Sequence, residues 1–256
     1  MAESISAIKT HLQTITQPDD NYLIQLATDE RKGVQSALKS WQRQYERATK
    51  AKEALQEHLA IEHELWEGGV QYIAGVDEVG RGPLAGPVIA AAVILPVDFD
   101  VVGVNDSKQL TDKRREELFP LIMDQALAVE VGIVDAETID EVNIYQASRL
   151  AMKAAIEKLD PQPQQLLIDA MTVDLDIPQE KLIKGDARSA SIGAASIIAK
   201  VTRDHMMKGF ATIYPGYGFE NNAGYGTKEH LAGLKKLGVT PIHRKTFAPV
   251  KAIAEK

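Results

Sequence analysis

Cysteine is absent from the 256 residues. This excludes disulfide scaffolds, thiolate zinc centres and cysteine nucleophiles, and it leaves oxygen and imidazole as the donors for any metal. Long apolar runs are missing too: no stretch approaches the roughly 18 residues a membrane span needs. The opening MAESISAIKT lacks a basic segment followed by an apolar one, so a cytoplasmic protein with no membrane partner is expected. An excess of positive charge is also lacking. With 36 acidic against 29 basic residues and a net charge of -7, the chain cannot coat nucleic acid through its whole field. A nucleic-acid substrate would have to be held by a local basic patch. Neither glycine (18) nor proline (11) is abundant enough for a collagen-like or low-complexity chain.

Two textures follow one another along what is present. Residues 1 to about 68 are rich in Gln, Glu, Ala, Lys and Arg, with no proline after Pro18, and read as a helical N-terminal extension. Breaks are expected near Pro18-Asp19-Asp20 and Lys32-Gly33, with a helix from Val34 to about Trp66. Residues 69–256 form an α/β pattern. Tyr72–Val76 and Val88–Leu95 are strand-like runs joined by a short Gly/Pro segment, which favours an antiparallel hairpin. Leu127–Val134, Gln165–Asp169 and Lys181–Lys184 supply three further strands. Helices are expected from Thr111, over Ile139–Leu159 and over Ser189–Met207. The fold class is therefore α/β, a mixed five-stranded sheet flanked by helices.

Four carboxylates follow apolar stretches at strand ends: Asp77, Glu78, Asp169 and Asp186. Any one of them could be a turn or cap residue. Together they would repel and take up protons unless divalent cations occupied the cluster, and an all-oxygen donor set selects magnesium or manganese. Adjacent strand residues point to opposite faces, so Asp77 and Glu78 are expected to share a site only if the strand kinks or ends there. Asp204 is a reserve ligand, otherwise paired locally with a cation.

The segment Gly75-Val76-Asp77-Glu78-Val79-Gly80-Arg81-Gly82-Pro83-Leu84-Ala85-Gly86-Pro87 lacks the Lys-Ser/Thr ending of a phosphate-binding loop. Glycines flanking Arg81 nonetheless permit close approach of backbone to a ligand, with Arg81 as a charge-assisted donor. Lys108 reads either as a phosphate contact or as a solvated loop lysine. Tyr225, between Gly224 and Gly226, belongs to no helical or strand stripe and is suited to stacking on a sugar or base, or to simple packing. Ser191, Ala194, Ala195 and Ser196 are expected to allow close helix packing and to take no catalytic part.

Over roughly residues 70 to 250 the chain resembles the type 2 ribonucleases H, in particular the bacterial ribonuclease HII family. The motifs are GVDEVGRGPLAGPV from Gly75, NDSKQL from Asn105, LLIDA from Leu166, KGDARSASIGAASIIAKVTRD from Lys184, GYGT from Gly224 and HRKTF from His243. Thr246 departs from the serine expected there. The resemblance implies the ribonuclease H fold and a monomeric endoribonuclease. It implies cleavage of the RNA strand of RNA-DNA hybrids, and cutting 5′ of single ribonucleotides in duplex DNA, leaving 5′-phosphate and 3′-hydroxyl ends. It further implies two divalent ions, Mn²⁺ or Mg²⁺, held by Asp77, Glu78, Asp169 and Asp186. Gly80, Arg81, Gly82 and Tyr225 are implied as substrate contacts, and Lys108 is expected to join them as a phosphate contact on its charge and loop position. A DNA-cutting nuclease on the same fold and a non-catalytic hybrid binder are the rival readings.

The extension must be read from its residues. Lys39, Arg43, Arg47 and Lys50 fall on one helical stripe beside an apolar one of Leu38, Trp41, Tyr45 and Ala48. Either the basic stripe meets duplex phosphates, in which case removing residues 1–68 would weaken binding and leave turnover intact, or it is a solvated face.

Overall fold

A computed structural model describes residues 3–255. The chain divides into two compact units, Met1–Gln56 and Glu57–Lys256. Helices α1 (Ile5–Leu12) and α2 (Asn21–Ala27), with nearly all of α3 (Lys32–His58), build the first. Ser4 and Asp20 cap α1 and α2 by accepting from Ala7 and Tyr22 N–H groups. Ile8, Leu12, Leu23, Leu26, Val34 and Leu38 bury the apolar faces of these helices in a small core of their own. The expected long helix from Val34 to Trp66 is broken: α3 stops at His58, and α4 (Ala60–Glu67) follows Leu59.

In the second unit five strands form one sheet in the order β3 (Ala128–Val134), β2 (Val88–Ile94), β1 (Ile73–Val79), β4 (Gln165–Asp169), β5 (Gln179–Leu182). The β1–β2 hairpin is antiparallel as its short link implies, β2–β3 is antiparallel, and β1–β4–β5 are parallel. The last strand lies two residues earlier than its hydrophobicity suggested, because Gln179 is fixed at its start by hydrogen bonds with the backbone of Val173. Around the sheet run α5 (Asp112–Gln125), α6 (Ala136–Val142), α7 (Ile144–Lys158), α8 (Ala190–Ile213), α9 (Phe219–Asn222), α10 (Lys228–Leu237) and α11 (Ala248–Ala254). The expected helix from Ile139 to Leu159 is interrupted at Asn143, whose positive φ of 71° turns the chain and whose side chain accepts from Tyr145 and Gln146 N–H groups to start α7. Helix α8 continues past Met207 to Ile213.

Every residue of β2 is buried, as befits a strand with neighbours on both sides and helices on both faces. Helix α7 covers one face, where Ala74, Val76, Ala90 and Ala92 meet Ala151, Met152 and Ala155. Helix α8 covers the other and comes so near that a Cβ on Gly75 would lie 2.1 Å from the Ser191 carbonyl carbon. Beside it Ile73, Leu167, Leu182 and Ile192 are joined by Ile61, Leu65 and Trp66. Helix α4 thus packs with the sheet, although its residues read as extension. Among the described residues no helix is long and apolar enough to cross a membrane.

Candidate active site

The parallel pairing of β1 with β4 runs Ile73↔Gln165 to Val76↔Ile168, so Asp77 and Asp169 come next on neighbouring strands. Counting by twos from Gly75 and Leu167, both face α8. Strand β1 neither ends nor breaks at Asp77, contrary to expectation: its ladder with β2 continues through Asp77↔Ala91 and Glu78↔Ala90 to Val79↔Ile89. Glu78 therefore starts on the opposite face from Asp77. It still feels the Asp169 charge, because β4 stops at that level and no longer separates the two sides.

Asp186 arrives by another route. Ala170 and Lys184 adopt positive φ angles of 51° and 55°, and the chain between them closes when Asp169 Oδ1 accepts from Gly185 N–H at 2.7 Å. The 3-10 turn Gly185–Ala187 then presents Asp186, which is 5% exposed. Lys108 follows Asp106 in a second short turn, and its Nζ lies 4.0 Å from Asp186 Oδ2.

The electrostatics are those of crowded acids. Burial, then the charges of Glu78 and Asp169, drive the Asp77 carboxyl well above the usual range, against a hydrogen bond with Ser196 and the charge of Lys108. Glu78 is pushed up to about 7, chiefly by burial, although Arg81 opposes the shift. Burial and the charges of Asp106 and Asp169 push Asp186 to about 6. Lys108 is moved upward: its partial burial works the other way, and four surrounding carboxylates outweigh it. Arg81 Nη1 holds Glu78 Oε1 at 3.2 Å, whereas buried Oε2 has no hydrogen-bond partner. Among the described residues no three acids or imidazoles form a ready-made cation cage. The donor chemistry nevertheless fits a hard divalent ion: buried oxygens only, one of them orphaned, with carboxylates whose repulsion a cation would relieve.

Gly80, with φ of 93°, begins the turn that carries Arg81 and Gly82. A Cβ on Gly82 would meet the Tyr225 ring at 3.5 Å, so the loop and the tyrosine are neighbours. Tyr225 is 45% exposed and follows Ala223 and Gly224, both at positive φ. Asp204 is not gathered into the carboxylate group; it pairs with Lys200 at 2.7 Å.

Four residues were given no part by sequence reasoning. Ser196 bonds both Asp77 and Ser107, so its hydroxyl joins the site to the turn bearing Lys108. Asp106, visible only as a neighbour of Lys108, acts on Asp186. Arg203 and Arg244 are fully buried without an acid partner. Arg244 donates to the carbonyls of Gly80, Arg81, Pro83 and Gly86, and Arg203 to those of Ala85, Pro87 and Ala223. Arginine so far from solvent is rare unless paired, and that was the available signal.

A family model described as ribonuclease HII matches residues 74–250, and one described as the ribonuclease HII N-terminal domain matches residues 4–66. The chain is 62% identical over 234 residues to a ribonuclease HII of Ligilactobacillus salivarius, covering 91% of this chain and 92% of that one. It is 59% identical over 253 residues to a ribonuclease HII of Leuconostoc mesenteroides, covering 99% and 100%. A crystal structure of ribonuclease H2 from Pyrococcus horikoshii superimposes with a TM-score of 0.61 at 30% identity, over 72% of this chain and 98% of that one.

Proposed function

Because the chain belongs to the ribonuclease HII family and is an endoribonuclease of RNA-DNA hybrids, we propose that it also cuts 5′ of single ribonucleotides embedded in duplex DNA, leaving 5′-phosphate and 3′-hydroxyl ends. The observation that carries this reading is the placement of Asp77 and Asp169 side by side just past the last parallel β1–β4 pair, with the orphaned Oε2 of Glu78 on the next residue. Asp77, Glu78, Asp169 and Asp186 would hold divalent cations. Bound there, a pair of Mg²⁺ or Mn²⁺ ions supplies an activated water and charge stabilisation for the departing 3′ oxygen.

The chain's own groups do the rest. Ser196 holds Asp77 through a hydrogen bond, and Gly185 N–H fixes Asp169, so neither carboxylate reorients when substrate arrives. Lys108, largely exposed above Asp186, offers its ammonium to a phosphate of the cleaved strand. Arg81 and the backbone of Gly80 and Gly82 meet the ribose 2′-hydroxyl, and Tyr225 packs on the sugar that follows it. In the N-terminal unit Lys39, Arg43, Arg47 and Lys50 are exposed along α3, and this stripe contacts duplex phosphates. Replacing all four by Gln should reduce the magnitude of the salt slope of binding by up to about 3 to 4.

The deciding experiment is a gel assay with Mg²⁺ or Mn²⁺ on three duplexes: all-DNA, DNA with one ribonucleotide, and a continuous hybrid. Cutting of the second and third but not the first supports the reading. Cutting of all-DNA, or of the hybrid alone, refutes it.

A further inference from the structure

The aromatic cluster behind Tyr225 contains a buried histidine pair whose protons the geometry fixes. Thr240 N–H donates to His243 Nδ1 at 2.9 Å, and a backbone amide can only donate, so this nitrogen carries no proton. At the other end, His230 Nδ1 lies 2.9 Å from the Tyr225 carbonyl oxygen, which can only accept, so Nδ1 carries the proton. The two Nε2 atoms are 3.0 Å apart and need one proton between them. With Nδ1 of His243 bare, that proton sits on His243 Nε2 and is donated to His230. Both rings are neutral, in opposite tautomers. An imidazolium at either position would set an N–H against an N–H. The rings are 0% and 1% exposed and are walled by Tyr217 and Phe219, so no water can substitute.

This chain of bonds ends on a segment that needs holding. Ala223 and Gly224 precede Tyr225 at φ of 47° and 86°, a conformation unfavourable for alanine. The Tyr225 carbonyl takes Thr227 N–H at 2.8 Å and His230 Nδ1–H, which occupies both lone pairs and fixes the peptide plane. The other end is anchored equally well: His243 bridges to Ala85, and the next residue, Arg244, holds the carbonyls of the Gly80–Gly82 turn. One short stretch, residues 240–244, therefore governs both the Arg81 turn and the Tyr225 backbone.

We propose that His243 and His230 are positioning residues which, through their fixed tautomers, set the Tyr225 peptide and hence the ring beside Gly82, and so determine selection of a single ribonucleotide over a continuous hybrid. This rests on the reading of Tyr225 as a substrate contact. Neither histidine touches substrate.

The test measures kcat/KM with Mg²⁺ on the single-ribonucleotide duplex and on the continuous hybrid for the full chain and three variants. His230→Leu removes the donor to Tyr225. It should lower the ratio of single-ribonucleotide to hybrid cleavage by about tenfold, as loss of a supporting hydrogen bond does elsewhere. His230→Asn keeps an N–H near the position of Nδ1 and should restore most of that ratio. Tyr225→Ala should lower the ratio at least as far as His230→Leu. If Tyr225→Ala lowers it and His230→Leu leaves it unchanged, the histidine proposal falls and the tyrosine reading stands. If Tyr225→Ala leaves it unchanged, both fall. Should His230→Leu not fold, His230→Asn decides together with ¹⁵N imidazole spectra of the unmutated protein at pH 7. These spectra should show an Nδ1–H tautomer for His230 and an Nε2–H tautomer for His243. The reverse tautomers or a charged ring would overturn the proposal.

Discussion

On the carboxylate side of the site, Asp77 and Asp186 are buried within the field of Asp169, and Glu78 keeps an oxygen with no partner. On the Tyr225 side, every side-chain nitrogen of Arg203, Arg244, His230 and His243 has one. Under the proposed function, the difference follows from what each side would have to do. Groups that gather cations have to be left hungry for positive charge, which costs stability in the isolated chain. Groups that measure the shape of a sugar must not move, and saturated hydrogen bonding in a low-dielectric interior gives that rigidity. Substitutions on the first side should therefore remove activity and spare the fold; on the second they should loosen the fold.

The largest effect is expected at Asp77. Asp77→Asn keeps the bond with Ser196 and removes a buried charge repelled by its neighbours. Cleavage should fall by on the order of 10³-fold, since several kcal/mol of transition-state charge stabilisation is lost. The melting temperature without divalent ions should stay level or rise, and added Mn²⁺ should raise it less than in the unmutated protein. Kinetics paired with thermal unfolding test this, and a variant that unfolds earlier would show the two sides to be alike.

Next comes Arg244, whose guanidinium serves four carbonyls and lies 5.1 Å from the Phe247 ring centroid. Arg244→Met preserves bulk but leaves buried acceptors unpaired, at a cost of about 3 kcal/mol. A fall in melting temperature of roughly 6–12 °C should follow. A loss below about 1 kcal/mol would mean that the carbonyls find other donors.

How much of this the sequence makes legible depends on whether the signal is local. The hairpin, the sheet class and the strand-end acids follow from short apolar runs and their spacing. The continuation of β1 through Asp77 and Glu78 does not, because Ala90 and Ala91 pair with them from a strand more than ten residues away. The arginine clamps are invisible for the same reason: their partners lie 20 to 164 positions away and are backbone carbonyls, which no side-chain pattern reveals, and the two histidines that meet are themselves 13 positions apart. Most instructive is Glu62. In the sequence it is one more acid in a helical extension; in the fold it is fully buried, and Oε1 accepts from Ser189 Oγ, Ser191 Oγ and Ser191 N–H at the start of α8.

Glu62 supplies the third prediction and sharpens the comparison, since it stabilises the helix that carries Ser196. Glu62→Ala leaves two hydroxyls and an amide without their acceptor, which should cost about 2 kcal/mol. A truncation after residue 68 would also strip Leu65 and Trp66 from beside Ile73 and Leu167. The expectation that such a truncation spares turnover is therefore replaced by one that it damages the catalytic unit. A first residue at Glu57 is the cut that separates the basic stripe from the sheet. Thermal unfolding of the Glu62→Ala variant is the direct check, and an unchanged midpoint would return residues 57–67 to the role of a dispensable extension.

The smallest effect concerns pH. Burial and the neighbouring His230 lower His243 to about 4, and burial lowers His230 too, while the groups facing them, Tyr217, Phe219 and Thr240, offer no acid to oppose this. Because the folded value lies below the unfolded one near 6.5, the stability contributed is complete above pH 6.5 and is lost as pH falls toward 4. At pH 5.5 the loss attributable to His243 should be about 1 kcal/mol. The carboxylates titrate over part of the same range in the opposite sense, since Glu78 and Asp186 are raised and stability contributed by their protonation grows as pH falls. The measurement must therefore be a difference. His243→Asn retains an acceptor for Thr240 N–H but does not titrate. It should be less stable than the unmutated protein at pH 7.5, and the gap should narrow steadily between pH 6.5 and 4.5. Parallel curves over that interval would mean that His243 is not held neutral by its surroundings, and the contrast between a saturated side and a hungry side would lose one of its members.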